Sequence, residues 1–302
     1  MTTIKGVEER LLCCLNDRLL VNEPMARHTS WRIGGPAEYF VEPQNTEELK
    51  KCILLAKELQ IPLTIVGNGT NLLVKDTGIP GLVIKIGRGF SDININGGVI
   101  TAGAGALLPA VARAAMDHHL SGFSWSAGIP GTIGGAVIMN AGANGSCISE
   151  VIQTVDVINR DGELLELGHE QLCFDYRISA LQDSELIVVD AKFLCSPGDH
   201  NEIKKEMNKY IAKRKEMQPQ GYPNAGSVFK NPPGDSAGRL LDVSGCKGLK
   251  VGNAQVSTVH ANWIINLGGA TADDVLTLIC QVKEIVKDKT GVALQLEVRV
   301  LG

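Results

Sequence analysis

The sequence predicts a two-domain protein that mixes helices with strands, and three observations carry this. Apolar stripes of helical period alternate with short strand-like runs along its 302 residues. A chain of this length suggests about two domains. Near two thirds of the way along, Ser196-Pro197-Gly198-Asp199-His200 interrupts the pattern and reads as a linker, so the domains are expected at 1–199 and 200–302.

The elements follow in order. MTTIKGVEERLLCCLNDR (1–18) carries charges throughout and has no apolar stretch ending in a small-residue cleavage site, so a first helix is expected and not a signal peptide. Asn45 to Gln60 is a helix: Asn45 can cap it with Glu48 three residues on, and Leu49, Cys52, Ile53 and Ala56 make its apolar stripe. IPLTIVG (61–67) is a buried strand, followed by strands at Leu82 to Ile86 and Val99 to Ala102. Leu107 to His119 is a helix with Pro109 in its first turn. Residues 126–145 are too rich in Gly for a regular element. TVDVINRDGELLEL (154–167) is a hairpin turning at Asp161-Gly162, and Leu186 to Leu194 is a strand. Beyond the linker, Asn201 to Met217 is a helix with Ile203, Met207, Tyr210 and Ile211 on one face. Then come a strand (His260 to Asn266), a helix (Thr271 to Lys289) begun by Thr271 with Asp274, and a strand (Val292 to Leu301).

Composition excludes several classes. At 44% hydrophobic and 21% charged residues the chain is an ordinary globular protein, and no apolar run approaches the length of a membrane span. A net charge of −4 argues against nucleic acid as a partner, although Lys204 to Lys215 is locally basic. The eight Cys (13, 14, 52, 147, 173, 195, 246, 280) form no C-x-x-C pair and read as reduced, buried small hydrophobes in a cytoplasmic protein. His118-His119 and His169 lack ligand spacing, so no metal is expected. Seventeen of the 34 Gly fall between Ile61 and Gly145, which suggests backbone packed against something other than protein.

Gly103-Ala104-Gly105 follows a strand and opens a helix, but position 108 is Leu and no acidic residue follows at the right distance, so a Rossmann site is not expected. No P-loop occurs. Two other loops are better candidates: Gly67-Asn68-Gly69-Thr70-Asn71-Leu72 after a strand, and Gly128-Ile129-Pro130-Gly131-Thr132-Ile133-Gly134-Gly135. Successive backbone N–H groups in such loops can cradle a diphosphate; a pair of tight turns is the alternative.

These two loops, with HTSWRIGG (28–35), MNAGA (139–143), FDYRIS (174–179), AGSVFKNP (225–232), AGRLLD (237–242), VSTVHANWIIN (256–266) and EVRVLG (297–302), resemble the UDP-N-acetylenolpyruvoylglucosamine reductase family in the right order over residues 20–302. The resemblance implies an α+β fold of the vanillyl-alcohol-oxidase type: a PCMH-type FAD-binding domain of two subdomains, followed by a smaller α+β substrate domain. It implies bound FAD, held by Gly67, Asn68, Gly69, Thr70, Asn71, Leu72, Gly128, Ile129, Pro130, Gly131, Ile133, Gly134, Gly135, Asn140 and Gly142. NADPH is the implied co-substrate and the enolpyruvyl ether of UDP-N-acetylglucosamine the implied substrate, in a cytoplasmic monomer that makes a bacterial cell-wall precursor.

The implied chemistry adds a hydride to the methylene carbon of the enolpyruvyl group and leaves an enolate to be stabilised and protonated. Arg177 matches the family's enolate-stabilising arginine, Ser227 its proton donor and Glu297 its third catalytic position. A guanidinium can grip a carboxylate through two parallel bonds. If 292–301 is a period-2 strand, Gln295, Glu297 and Arg299 share one face. Beside the substrate's carboxylate, Glu297 is expected to be partly protonated. Tyr176, Arg214, Lys230, Asn231 and His260 are the implied substrate contacts, with Arg214 toward the diphosphate. The chain resembles the shorter subtype, which lacks a loop whose tyrosine covers the nucleotide, so Tyr222 is not given that role. A sugar or alcohol oxidase of the same flavin fold and a non-catalytic nucleotide-sugar binder are the alternatives. Retention of Arg177, Ser227 and Glu297 together speaks against loss of catalysis, and no His or Cys matches a flavin attachment site.

Overall fold

The structure is a computed structural model and describes residues 4–15 and 18–302, with side chains from residue 6. Met1 to Thr3, Asn16 and Asp17, which belong to the expected first helix, lie outside the described residues. From the N-terminus the chain runs α1 (Ile4–Leu15), β1 (Leu20–Pro24), β2 (Pro36–Val41), α2 (Thr46–Glu58), β3 (Leu63–Val66), β4 (Leu72–Val74), β5 (Ile79–Lys85), β6 (Ile93–Asn96), β7 (Val99–Gly103), α3 (Leu108–Asp117), β8 (Leu120–Ser121) and α4 (Ile133–Ile138). It continues with β9 (Gly142–Ala143), β10 (Ser146–Cys147), β11 (Ile152–Ile158), β12 (Leu164–Gly168), β13 (Ile187–Leu194), β14 (Ser196–Pro197) and α5 (His200–Met217). Last come α6 (Ala237–Val243), β15 (Lys250–Val251), β16 (Ala254–Val256), β17 (Ile264–Asn266), α7 (Ala272–Thr290) and β18 (Arg299–Leu301).

The chain compacts into two units that are not contiguous in sequence. One comprises residues 1–21, 39–68 and 81–212, the other 22–38, 69–80 and 213–302. The expected division at residue 200 therefore differs from the division by compactness. The cause is apolar: Trp31, Ile33 and Leu73 from the early segments are buried in the same cluster as Phe229, Leu240, Val275 and Ile279. Burial of each such side chain contributes about 1.5–3 kcal/mol, enough to decide where a short segment docks.

In the first unit, β3 and β5 pair in parallel (Leu63↔Leu82 to Val66↔Lys85). A five-stranded antiparallel sheet follows the order β12-β11-β13-β7-β6. Its hairpin is the expected one: the Asn159 side chain accepts from the Asp161 and Glu163 N–H groups, and Gly162 N–H donates to Asn159 O. α2 is capped as the sequence requires, the Asn45 side chain accepting from Glu48 N–H at 2.9 Å, and its four stripe residues are buried. Strand β3 is only half-buried up to Val66, unlike the buried strand expected there. Residues 126–145 do hold a regular element, α4, because the chain docks on the 104–108 turn and its Gly residues admit that approach.

The expected linker is also structured. Ser196 and Pro197 pair with Ser121 and Leu120, and Asp199 Oδ1 accepts from Asn201 and Glu202 N–H to start α5. Of the cysteines, Cys52, Cys195 and Cys246 are buried as expected; Cys13, Cys173 and Cys280 are exposed.

In the second unit, β4 and β18 pair in parallel, Leu72↔Arg299 to Val74↔Leu301, and β15-β16-β17 form an antiparallel sheet. α7 carries a capping box between Thr271 and Asp274, and Asp76 accepts from the Ala272 and Asp273 N–H groups at 2.9 and 3.0 Å. Its stripe Val275, Leu278, Ile279, Val282 and Val286 is buried. The strands expected at 260–266 and 292–301 shrink to 264–266 and 299–301, since Phe229 pairs with Leu296 only as an isolated bridge.

Candidate active site

The first unit brings part of the two Gly-rich loops together. A Cβ on Gly67 would lie 2.7 Å from Thr132 Oγ1, and one on Gly135 only 3.6 Å from the same oxygen. Thr132, in the second loop but given no role from sequence, is thus the point where the loops meet. Gly131 O accepts from Leu108 N–H, while Ile133 and Gly134 N–H donate to Ala106 O and Ala104 O. Ile129 N–H donates to Ser126 O and Gly131 N–H to Ile129 O. Four of the loop's N–H groups, those of Ile129, Gly131, Ile133 and Gly134, are therefore engaged by the chain itself.

Gly103 and Gly105 of the 61–145 cluster pack on protein, not on open space. A Cβ on Gly103 would lie 2.2 Å from Phe90 O, and one on Gly105 2.0 Å from Gly87 O. This is the physical content of the failed Rossmann pattern.

Arg177 sits in a turn closed by Asp175 N–H to Ile178 O and Ile178 N–H to Asp175 O. Its φ is +59°, a conformation that costs an L residue about 1 kcal/mol or more and persists only when its surroundings enforce it. They do: Gln182 Nε2 donates to Arg177 O at 2.7 Å, and Arg177 Nη2 donates to Gly142 O at 3.1 Å. The guanidinium carbon stands 5.1 Å from the centroid of the exposed Tyr176 ring. Two predicted FAD residues lie in this same neighbourhood. Gly142 supplies the carbonyl that holds Arg177, and Asn140, buried, donates through Nδ2 to Asp175 O and accepts through Oδ1 from Ser149 N–H. Gln182 escaped the sequence reading because its contact is to a backbone carbonyl, which no spacing signals.

The second unit holds Ser227 and Glu297. Glu297 N–H donates to Val228 O at 2.8 Å and Lys230 N–H to Gln295 O at 2.9 Å, so segments 227–230 and 295–298 run side by side. Asn71, predicted for FAD, ties down the same region: its Nδ2 donates to Glu297 O at 3.1 Å and its carbonyl accepts from Arg299 N–H. The Gly69 end of that loop is anchored on residues 28–30. Gly69 has φ +62°, and a Cβ there would lie 2.1 Å from His28 O; Ser30 N–H donates to Gly69 O and Ser30 Oγ to Asn224 O. HTSWRIGG is therefore a scaffold of the second unit, fixed also by Trp31 Nε1 to Ile264 O at 2.8 Å.

Among the predicted substrate contacts, Arg214 is half-buried in the last turn of α5, and burial alone pushes its guanidinium below its ordinary range. Asn231 Oδ1 accepts from Ala237 N–H at the first residue of α6. His260 is half-buried, edge-on to Trp263 at 4.2 Å, and packed so closely on α6 that a Cβ on Gly238 would lie 2.6 Å from its Cε1. Burial, followed by Lys247, pushes its pKa down, in keeping with Nδ1 accepting from Asn262 N–H. His260 is thus held by protein on two sides.

Comparison with known proteins decides the family. A relative from Desulforamulus reducens, UDP-N-acetylenolpyruvoylglucosamine reductase, is 53% identical over 282 residues, covering 93% of each chain. The chain belongs to the UDP-N-acetylenolpyruvoylglucosamine reductase family. The reductase of that name from Agathobacter rectalis is 45% identical and spans 100% of this chain and 98% of its own. Two family models match: an FAD binding domain over 37–168, and the C-terminal domain of UDP-N-acetylenolpyruvoylglucosamine reductase over 218–301. The crystal structure of the reductase from Thermus caldophilus superposes with a TM-score of 0.81 at 37% identity, covering 94% of this chain and 98% of its own. A berberine bridge enzyme variant, at a TM-score of 0.50 and 13% identity, shares the fold alone. The fold is thus α+β with the PCMH-type FAD-binding architecture expected of the reductase family. The residues present fit an FAD group: around Thr132 two loops converge, and the Cβ position of Gly135 is open apart from that hydroxyl.

Proposed function

We propose that this chain is the FAD-dependent reductase that converts the enolpyruvyl ether of UDP-N-acetylglucosamine to UDP-N-acetylmuramate with NADPH, as a cytoplasmic monomer. The names of its relatives support the reaction, and the match to an FAD binding domain supports the cofactor. FAD, when bound, supplies the hydride that NADPH provides. The residues that would hold it are the Gly67–Leu72 and Gly128–Gly135 loops with Asn140 and Gly142.

In this reading the chain's own groups manage charge and a proton. A substrate that has gained a hydride at its methylene carbon carries negative charge on the adjacent carbon and its carboxylate. Arg177, always charged and held in a strained turn, is the group to stabilise that enolate. The Ser227 hydroxyl gives its proton to the carbon and is restored from solvent. Glu297 assists from the neighbouring segment. Tyr176, Lys230 and Asn231 orient the nucleotide sugar, and Arg214, desolvated without a charge partner contributing, meets its diphosphate. His260 is the remaining candidate contact.

The observation that carries the reading is the Glu297 N–H to Val228 O bond, which fixes Ser227 and Glu297 on adjacent segments in a chain of this family. Purified protein is expected to be yellow, to release FAD on denaturation, and to oxidise NADPH only when the UDP-linked enolpyruvyl sugar is added. Colourless protein that takes up no FAD overturns the reading.

A further inference from the structure

The Ser227 segment runs beside an extended segment, residues 295–298, on one side. Toward residues 295–298 it uses Val228 O and Lys230 N–H. On its other side stands a single buried side chain, Asn262. Asn262 Oδ1 accepts from Phe229 N–H at 2.9 Å, its Nδ2 donates to Phe229 O at 2.8 Å, and its main-chain carbonyl accepts from Val228 N–H at 2.9 Å. One residue thus supplies three rungs of the kind a neighbouring strand would supply. Asn262 is itself fixed, its N–H donating to His260 Nδ1 at 3.2 Å.

The amino-terminal end of the segment is set by Gly226, whose φ is +75° and whose N–H donates to Asn224 Oδ1 at 3.0 Å. Among the described residues no protein group hydrogen-bonds to the Ser227 hydroxyl, so its aim depends on where the backbone of 226–229 is held. Val228 and Phe229 are buried on the apolar cluster of this unit, and they pull the segment inward; Asn262 fixes its height and rotation.

We propose that Asn262 is a positioning residue for proton delivery: by gripping the backbone of Val228 and Phe229 it aims the Ser227 hydroxyl at the substrate carbon. This rests on Ser227 being the proton donor. The two can fail separately, because Ser227 is tested by its own substitution.

The test uses FAD-loaded protein and follows the two half-reactions by rapid mixing: flavin reduction by NADPH, and flavin reoxidation by the UDP-linked enolpyruvyl sugar. Asn262→Ala is expected to leave flavin reduction within about twofold and to slow reoxidation about ten- to hundredfold, the cost of a displacement of about an ångström. Added to Ser227→Ala, it is expected to slow reoxidation no further, since its effect passes through that hydroxyl. Asn262→Asp keeps the shape but sets an acceptor oxygen against Phe229 O in place of the donating Nδ2, and is read in the same way if the alanine variant does not fold. Native-like reoxidation in the folded variant, equal loss in both half-reactions, or an additive effect in the double variant overturns the proposal. Rapid reoxidation by Ser227→Ala alone instead overturns the role of Ser227.

Discussion

At the scale of single residues, the candidate site is built from side chains that fix backbone. Arg177 endures a left-handed φ because Gln182 and Gly142 hold it, and backbone strain maintained in this way is a mark of functional turns. Asn71, Asn140 and Asn262 each bond to main-chain groups from distant parts of the chain. Ser227 contrasts with them, because among the described residues no such bond fixes its hydroxyl. Ser227→Ala is therefore expected to fold normally, to keep NADPH-driven flavin reduction within about twofold, and to lose about a hundredfold or more in substrate reduction. Equal loss in both half-reactions, measured by rapid mixing, refutes its role as proton donor. Arg177, Ser227 and Glu297 stand out in the sequence only through motifs in order. Asn262 stands within one of those motifs, yet no spacing distinguishes a buried asparagine that braces a loop from one that caps a turn.

At the scale of elements, the ladder between β11 and β13 sets Asp156 opposite Asp190, with Lys192 and Glu166 beside them. One Asp190 oxygen is buried without a hydrogen-bond partner, and burial together with the facing Asp156 pushes its pKa up to about 6. Between an unfolded value near 4 and this raised one, the folded chain binds more protons than the unfolded chain. This pair therefore contributes stability at low pH that is lost as pH rises through about 6. Asp190→Asn removes that loss. It is expected to leave stability little changed at pH 4 and to raise it by about 1 kcal/mol at pH 7.5, after allowance for partial exposure. Thermal unfolding of both proteins at the two pH values checks this, and an unchanged difference contradicts it. α2 and α7 were legible because periodic apolar residues and a cap agree within one segment. The region 126–145 was not, since α4 is six residues long and gains its order by docking on the 104–108 turn, a contact that local propensity does not record.

At the scale of the whole chain, the two hydrophobic clusters coincide with the two compact units, and each draws on segments far apart in sequence. A linear reading places the domain border at a break in pattern, near residue 200. It has no means of assigning 22–38 and 69–80 to the carboxy-terminal core, because that assignment rests on contacts such as Trp31 Nε1 to Ile264 O, which spans 233 residues. The family was legible all the same, since its motifs mark loops and turns whose order survives any folding of the chain. The proposed reaction is a two-electron transfer from NADPH to the enolpyruvyl sugar. Its most direct test is a single turnover without oxygen: FAD-loaded protein is reduced with one equivalent of NADPH and mixed with the UDP-linked enolpyruvyl sugar. Flavin absorbance is predicted to return in step with one equivalent of UDP-N-acetylmuramate per flavin. Flavin that stays reduced until oxygen is admitted would rule out transfer to the sugar.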